Sequence, residues 1–144
     1  MHAEQGAAGV DIGRGGVVPG LRGDTVVADA VKFVRHHDIE RIVDNTDSVR
    51  TKLSGTWTAS SAVTGYYGSQ FLHDGNTGQG TKSVTFAPDL PEAGTYEVFA
   101  RWPVNDTGTP RATNTPVIIT WAGGVNTVTV DQQQNGGDWV SVGT

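Results

Sequence analysis

From Ile42 to the end of the chain, short runs rich in β-branched and aromatic residues are cut by turn signals every few positions, and no apolar stripe of helical spacing reaches a useful length. That punctuation rules out a helical fold. Thr95 to Trp102 is the clearest amphipathic strand, with Tyr96, Val98, Ala100 and Trp102 on one face and Glu97, Phe99 and Arg101 on the other. Pro88 to Gly94 is a rigid loop that no helix could cross, and His73-Asp74-Gly75-Asn76 is a turn. Val117 to Trp121 and Val125 to Val130 flank Ala122-Gly123-Gly124 as a hairpin. With 20 Gly and 6 Pro and only 17% charged residues, the chain reads as all-β, a sandwich or barrel of short strands.

One strand stands apart from this body. Thr25 to Val34 is apolar at both odd positions (Val27, Val31, Phe33) and even ones (Val26, Ala28, Ala30, Val34), as expected of a strand covered on two sides. A short helix over Ala28 to Arg35 is the rival, disfavoured by the β-branched content and by the Gly23-Asp24 turn in front. Before it, Val10-Asp11-Ile12 alternates as a short strand. The glycine-rich Gly13 to Gly23 loop lacks the helix with Lys and Ser or Thr that a phosphate cradle requires. After it, Arg35 to Arg41 (RHHDIER) is the densest run of charge and reads as a solvated linker. Its adjacent histidines diverge on an extended chain and make a poor metal site.

Length and charge narrow the partners. At 144 residues the chain is one domain with room for a real core. A net charge of −5 and the lack of any basic cluster argue against nucleic acid. Without cysteine there is no disulfide, thiolate metal site or thiol nucleophile. No apolar run approaches the length of a membrane span, so membrane insertion is not expected, and an export signal, if there is one, lies outside MHAEQGAAGV.

Candidate sites are few. Trp57, Tyr66, Tyr67, Trp102, Trp121 and Trp139 could stack on sugar rings, with Arg101 or Arg111 bonding hydroxyls. Trp102 shares a face with Tyr96 and Val98 and belongs to the core. Tyr66 and Tyr67, in a glycine-flanked turn, are with Arg111 the better glycan-binding candidates. Asp44, Asp47, Asp74 and Asn76 are oxygen ligands of the kind calcium takes, but their spacing matches no calcium loop, and turn formation is the simpler role. No other cofactor is expected. There is no HExxH or GxSxG, and no acid pair can be singled out for glycoside hydrolysis, so no enzyme is expected.

Ile42-Val43-Asp44-Asn45, Gly55-Thr56-Trp57, Gly65-Tyr66-Tyr67-Gly68-Ser69, Pro88-Asp89-Leu90-Pro91, Gly94-Thr95-Tyr96-Glu97-Val98, Arg101-Trp102, Arg111-Ala112-Thr113-Asn114 and the run Asn135 to Thr144 together resemble the golvesin C-terminal-like domain. The resemblance covers residues 42–144. It implies a jelly-roll-like antiparallel β-sandwich of carbohydrate-binding-module type, found beside xanthan lyase-type and other secreted bacterial enzymes, with an accessory role and no chemistry of its own. The frame differs from the family's. Strands resembling Gly9 to Ile12 and Val26 to Phe33 follow the segment resembling Trp139 to Thr144 in the family, whereas here they come first. Residues 1–34 are therefore expected to be terminal strands, with 35–41 as linker and 42–144 as the body.

A sandwich lacking those strands would expose an apolar groove. Either residues 1–34 fold back onto their own domain, or they complete a neighbouring copy. In the second case Val10, Ile12, Val26, Val27, Ala28, Ala30, Val31 and Phe33 would be the donated anchors and head-to-tail contacts would build a filament or tandem array. The expectation is an extracellular, non-catalytic structural module whose partners are copies of itself. The alternative is a carbohydrate-binding accessory module of a secreted bacterial protein, with a polysaccharide as partner.

Overall fold

Along Glu97–Arg101, Val98 and Ala100 are fully buried while Glu97, Phe99 and Arg101 keep part of their surface in solvent, so a period of two separates inside from outside. The computed structural model describes residues 2–3, 9–12, 25–35, 39–77, 81–105 and 110–143, and among these every regular element is a strand. In chain order they are β1 (His2–Ala3), β2 (Gly9–Ile12), β3 (Val27–Ala28), β4 (Ala30–Arg35), β5 (Ile39–Asp44), β6 (Thr51–Ser54) and β7 (Thr58–Ser60). There follow β8 (Phe71–His73), β9 (Ser83–Phe86), β10 (Gly94–Thr95), β11 (Glu97–Arg101), β12 (Thr115–Trp121), β13 (Gly124–Val130) and β14 (Val140–Gly143).

Two sheets make a sandwich. One has the order β14-β11-β4-β5 and the other β13-β12-β2-β9-β6, with every ladder antiparallel. A small sheet β3-β8-β7 and the pair β1-β10 complete the described strands. The all-β expectation holds. Tyr96, Val98, Ala100 and Trp102 are all buried, as the alternation of that strand requires.

The N-terminal strands sit in the middle of both large sheets. β2 lies between β12 and β9, pairing Ile12 with Val117 and Val10 with Phe86. β4 lies between β11 and β5, pairing Phe33 with Val98 and Val31 with Val43. Val10, Ile12, Val27, Val31 and Phe33 thus belong to the core of their own chain. At about 1.5–3 kcal/mol for each fully buried side chain, these five stabilise the fold by roughly 10 kcal/mol, an amount comparable to the whole stability of a typical domain.

Two details depart from the sequence reading. Thr25 to Val34 is not one strand but two, β3 in the small sheet and β4 in the large one, with Asp29 at the step between them. The chain changes sheets there because Asp29 leaves the ladder and turns its polar groups to other partners: its carbonyl accepts the Asn45 N–H at 2.8 Å. Arg35 to Arg41 likewise is not a free linker among its described residues. Arg35 pairs with Ile39, Val34 with Glu40 and Phe33 with Arg41, so this segment is the closing end of a β4–β5 hairpin. Residues 36–38, with both histidines, and the Gly13 to Gly23 loop lie outside the described residues.

Candidate functional site

The outward side of the four-stranded sheet carries a row set by register: Ser141, Phe99, Lys32 and Ile42 lie opposite one another across β14, β11, β4 and β5. Arg101, Ala30 and Asp44 form the next row. Over this second row lies the turn Gly65 to Ser69. Gly65 has φ +96°, and a Cβ on it would stand 3.0 Å from the Cα of Gly137, so the turn touches the 136–137 backbone directly. A Cβ on Gly68 would stand 2.6 Å from Asp44 Oδ2. These close approaches bring two aromatic rings from distant parts of the chain together.

Tyr67 and Trp139 meet with ring centroids 5.6 Å apart and planes tilted by 55°. Tyr67 is 36% exposed, and Trp139 is half-buried. The Lys32 ammonium lies 4.8 Å from the centroids of both Trp139 and Phe99, and the Arg101 guanidinium carbon 5.5 Å from that of Trp139. Lys32 also reaches Glu40 at 3.8 Å, and Arg101 Nε donates to the Gly65 carbonyl at 3.0 Å. The result is an aromatic platform in which Lys32 and Arg101 make cation–π contacts with Trp139, and Lys32 with Phe99 as well.

Beneath the turn is Asp29. Its Oδ2 accepts the Tyr67 N–H at 2.9 Å, and its side chain is fully buried. Burial pushes its carboxyl up to about 8 against the hydrogen bond from Tyr67. The Asp44 charge raises it further, and Arg101 opposes. Burial also raises Asp44 above the usual carboxylate range, against the hydrogen bond from Thr46.

The sequence-derived candidates fall on different sides of the molecule's interior. Tyr67 belongs to the platform. Tyr66 turns toward the core, its ring centroid 6.1 Å from that of Phe71. Arg111 is 3% exposed, with its guanidinium 5.5 Å from the Phe71 ring and its carbonyl accepting from Gln133 Nε2 at 2.8 Å. A side chain so enclosed does not share a surface with Tyr67, which corrects the expectation for Arg111. Trp57 packs against the core and donates Nε1 to the Ser54 carbonyl.

Three of the four oxygen-bearing candidates accept hydrogen bonds within turns, and Asn76 donates its backbone N–H to one of them. Asp47 Oδ1 accepts from the Val49 and Arg50 N–H groups, Asp74 Oδ1 from Val26 and Asn76, and Asp44 Oδ2 from the Thr46 hydroxyl. Burial raises the Asp74 carboxyl, against the hydrogen bonds from Asn76 and Val26. No three His, Cys, Asp or Glu side chains converge to hold a metal among the described residues. Lys32 is the platform residue that sequence reading missed. Its only signal was its place in a strand apolar on both faces, and the ring beside it, Phe99, comes from a strand 60-odd positions away.

Comparison with known proteins decides the family. The sequence profile of the golvesin C-terminal domain matches residues 41–144. The chain belongs to the golvesin C-terminal domain family. A xanthan lyase of Bacillus sp. (strain GL1) is 47% identical over 103 residues, which are 72% of this golvesin C-terminal domain chain and 11% of that protein. The structure of a Paenibacillus xanthan lyase matches 99% of the chain with a TM-score of 0.65 at 23% identity, over 18% of its own length. The chain therefore spans between a tenth and a fifth of the xanthan lyases it matches. The family profile begins within β5, whereas the structural correspondence takes in nearly the whole chain, so the strands before β5 are part of the shared fold.

Proposed function

We propose that this golvesin C-terminal domain is a non-catalytic, carbohydrate-binding accessory module of a secreted, extracellular polysaccharide-active protein. The observation that carries the reading is the Tyr67–Trp139 pair. One ring is exposed and the other half-buried on the outer face of a rigid sheet, with Lys32 and Arg101 beside them to meet polar groups of a chain laid across. Aromatic faces stack on the apolar face of a pyranose, and a platform built on strands holds them in place. The relation to xanthan lyases supports a polysaccharide as the ligand class.

Head-to-tail assembly by strand donation is the other reading, and it needs Val10, Ile12, Val27, Val31 and Phe33 to leave their own domain. Val10, Ile12, Val31 and Phe33 lie on interior strands of the two large sheets, and Val27 is buried in the same chain's core, which favours a closed unit. Titration of the purified chain with depolymerised xanthan is the test. Binding that is lost in Tyr67→Ala and Trp139→Ala, with folding retained, supports the module; no binding by the wild type overturns it for this glycan.

A further inference from the structure

We propose that Asp29 is the positioning residue of the Tyr67–Trp139 platform, and that the loss of its proton loosens the platform; the ligand-affinity part of this rests on the carbohydrate-binding reading above. Among the described residues, three hydrogen bonds tie the turn that presents Tyr67 to the body. Tyr67 N–H donates to Asp29 Oδ2 at 2.9 Å, Arg101 Nε donates to the Gly65 carbonyl at 3.0 Å, and Val104 N–H donates to the Thr64 carbonyl at 3.0 Å. Only the first tie ends on a group that changes charge near neutral pH. It is also the one that grips the backbone of the ligand-facing residue itself.

The geometry explains why that proton matters. Asp29 stands at the step between β3 and β4 with no exposed surface, and its second oxygen, Oδ1, has no hydrogen-bond partner among the described residues. The charged groups acting on it are Asp44 from β5 and Arg101 from β11. The overlying turn offers it the Tyr67 N–H, and Lys32, on its own side of the sheet, is directed to Phe99 and Trp139. As a neutral acid, Asp29 brings no charge into this buried site and leaves only its Oδ1 hydroxyl without a partner among the described residues. As an anion it has one donor on one oxygen and none on the other, with a second carboxylate nearby. The Tyr67 N–H still serves Oδ2 of the anion, so the unmet need is at Oδ1, and water drawn to that oxygen enters by displacing the rest of the turn that covers the site. The acid gives its proton to solvent, and no other bond changes.

The test separates positioning from binding. The Tyr67 amide resonance, followed by NMR between pH 6 and 9 without ligand, should shift in the wild type with the titration of Asp29 and stay still in Asp29→Asn, which keeps the acceptor but cannot ionise. Affinity for depolymerised xanthan should fall at least fivefold from pH 6.5 to pH 9 in the wild type and less than twofold in Asp29→Asn. Asp29→Ala should bind at least fivefold more weakly already at pH 6.5, with Asn restoring affinity. A Tyr67 amide that does not titrate, or identical pH profiles for wild type and Asp29→Asn, overturns the proposal. If no variant binds xanthan, the carbohydrate reading fails for that glycan, and the amide titration alone still decides the positioning role.

Discussion

Gln132 and Val27, 105 residues apart, exchange two hydrogen bonds: Gln132 Nε2 donates to the Val27 carbonyl at 2.8 Å, and Val27 N–H donates to Gln132 Oε1 at 3.0 Å. A side-chain amide here takes the place of a neighbouring strand on the side of β3 that β8 leaves open. Both residues are buried, so neither bond competes with water. The N-terminal segment is thereby fastened to the loop after β13 by polar contacts as well as by packing.

Replacing Gln132 by Ala strands two buried backbone groups, each worth about 1–3 kcal/mol when left unpaired. We expect Gln132→Ala to lose about 2–4 kcal/mol in urea denaturation with an unchanged slope. A loss under 1 kcal/mol would show that water takes over both bonds. Gln132→Glu should also destabilise near neutral pH, because a carboxylate cannot donate to the Val27 carbonyl.

Asp29 makes stability depend on pH in a defined direction. Its folded-state value of about 8 lies above the ordinary 3.8, so between these limits the folded chain holds a proton that the unfolded chain has released. Its contribution is therefore fully present below about pH 4 and is lost as pH rises to about 8. Asp29→Asn should gain stability relative to the wild type on going from pH 5 to pH 9, read as a widening gap between denaturation midpoints. A constant gap would place the titration elsewhere.

Gly65→Ala should be more damaging than Gly75→Ala, although both glycines have positive φ, +96° and +67°. The conformational cost is shared, at about 1–2 kcal/mol. Only at Gly65 does the added methyl strike backbone, 3.0 Å from Gly137 Cα and 3.1 Å from Val104 N, whereas at Gly75 it meets the Thr77 hydroxyl at 4.0 Å. Gly65→Ala should also change the Trp139 contribution to fluorescence, isolated by difference from Trp139→Phe. Equal stability losses at the two sites would mean that the 136–137 turn yields freely.

The two ends of the described chain lie close together. His2 pairs with Thr95 in β10 and Gly143 with Val98 in β11, so both ends lie beside one short stretch of chain, their partners at most about 11 Å apart. A permuted chain with these ends joined by a short linker and opened between Arg35 and Ile39 should fold to the same sheets. Its stability should lie within about 2 kcal/mol of the original, since every described strand pairing is kept and one loop closure replaces another. Light scattering should give about 15 kDa for the original chain at every concentration. Growth of particles with concentration would instead revive strand donation.

The sequence by itself determined the class of fold and the identity of the core. Alternation along Glu97–Arg101, turns such as His73 to Asn76, and the doubly apolar Thr25 to Val34 are local signals, because which face a residue takes depends on its immediate neighbours. Tertiary structure decided where the strand around Val31 packs, that it breaks at Asp29, and that it is clasped by Gln132 from the far end of the chain. It also decided the platform: Tyr67 and Trp139 are 72 positions apart, and Lys32 meets Phe99 only through cross-strand register. Arg111 looked like a surface arginine because composition cannot tell an enclosed guanidinium from a free one. Contacts between distant positions arise from chain topology, which local propensity leaves open.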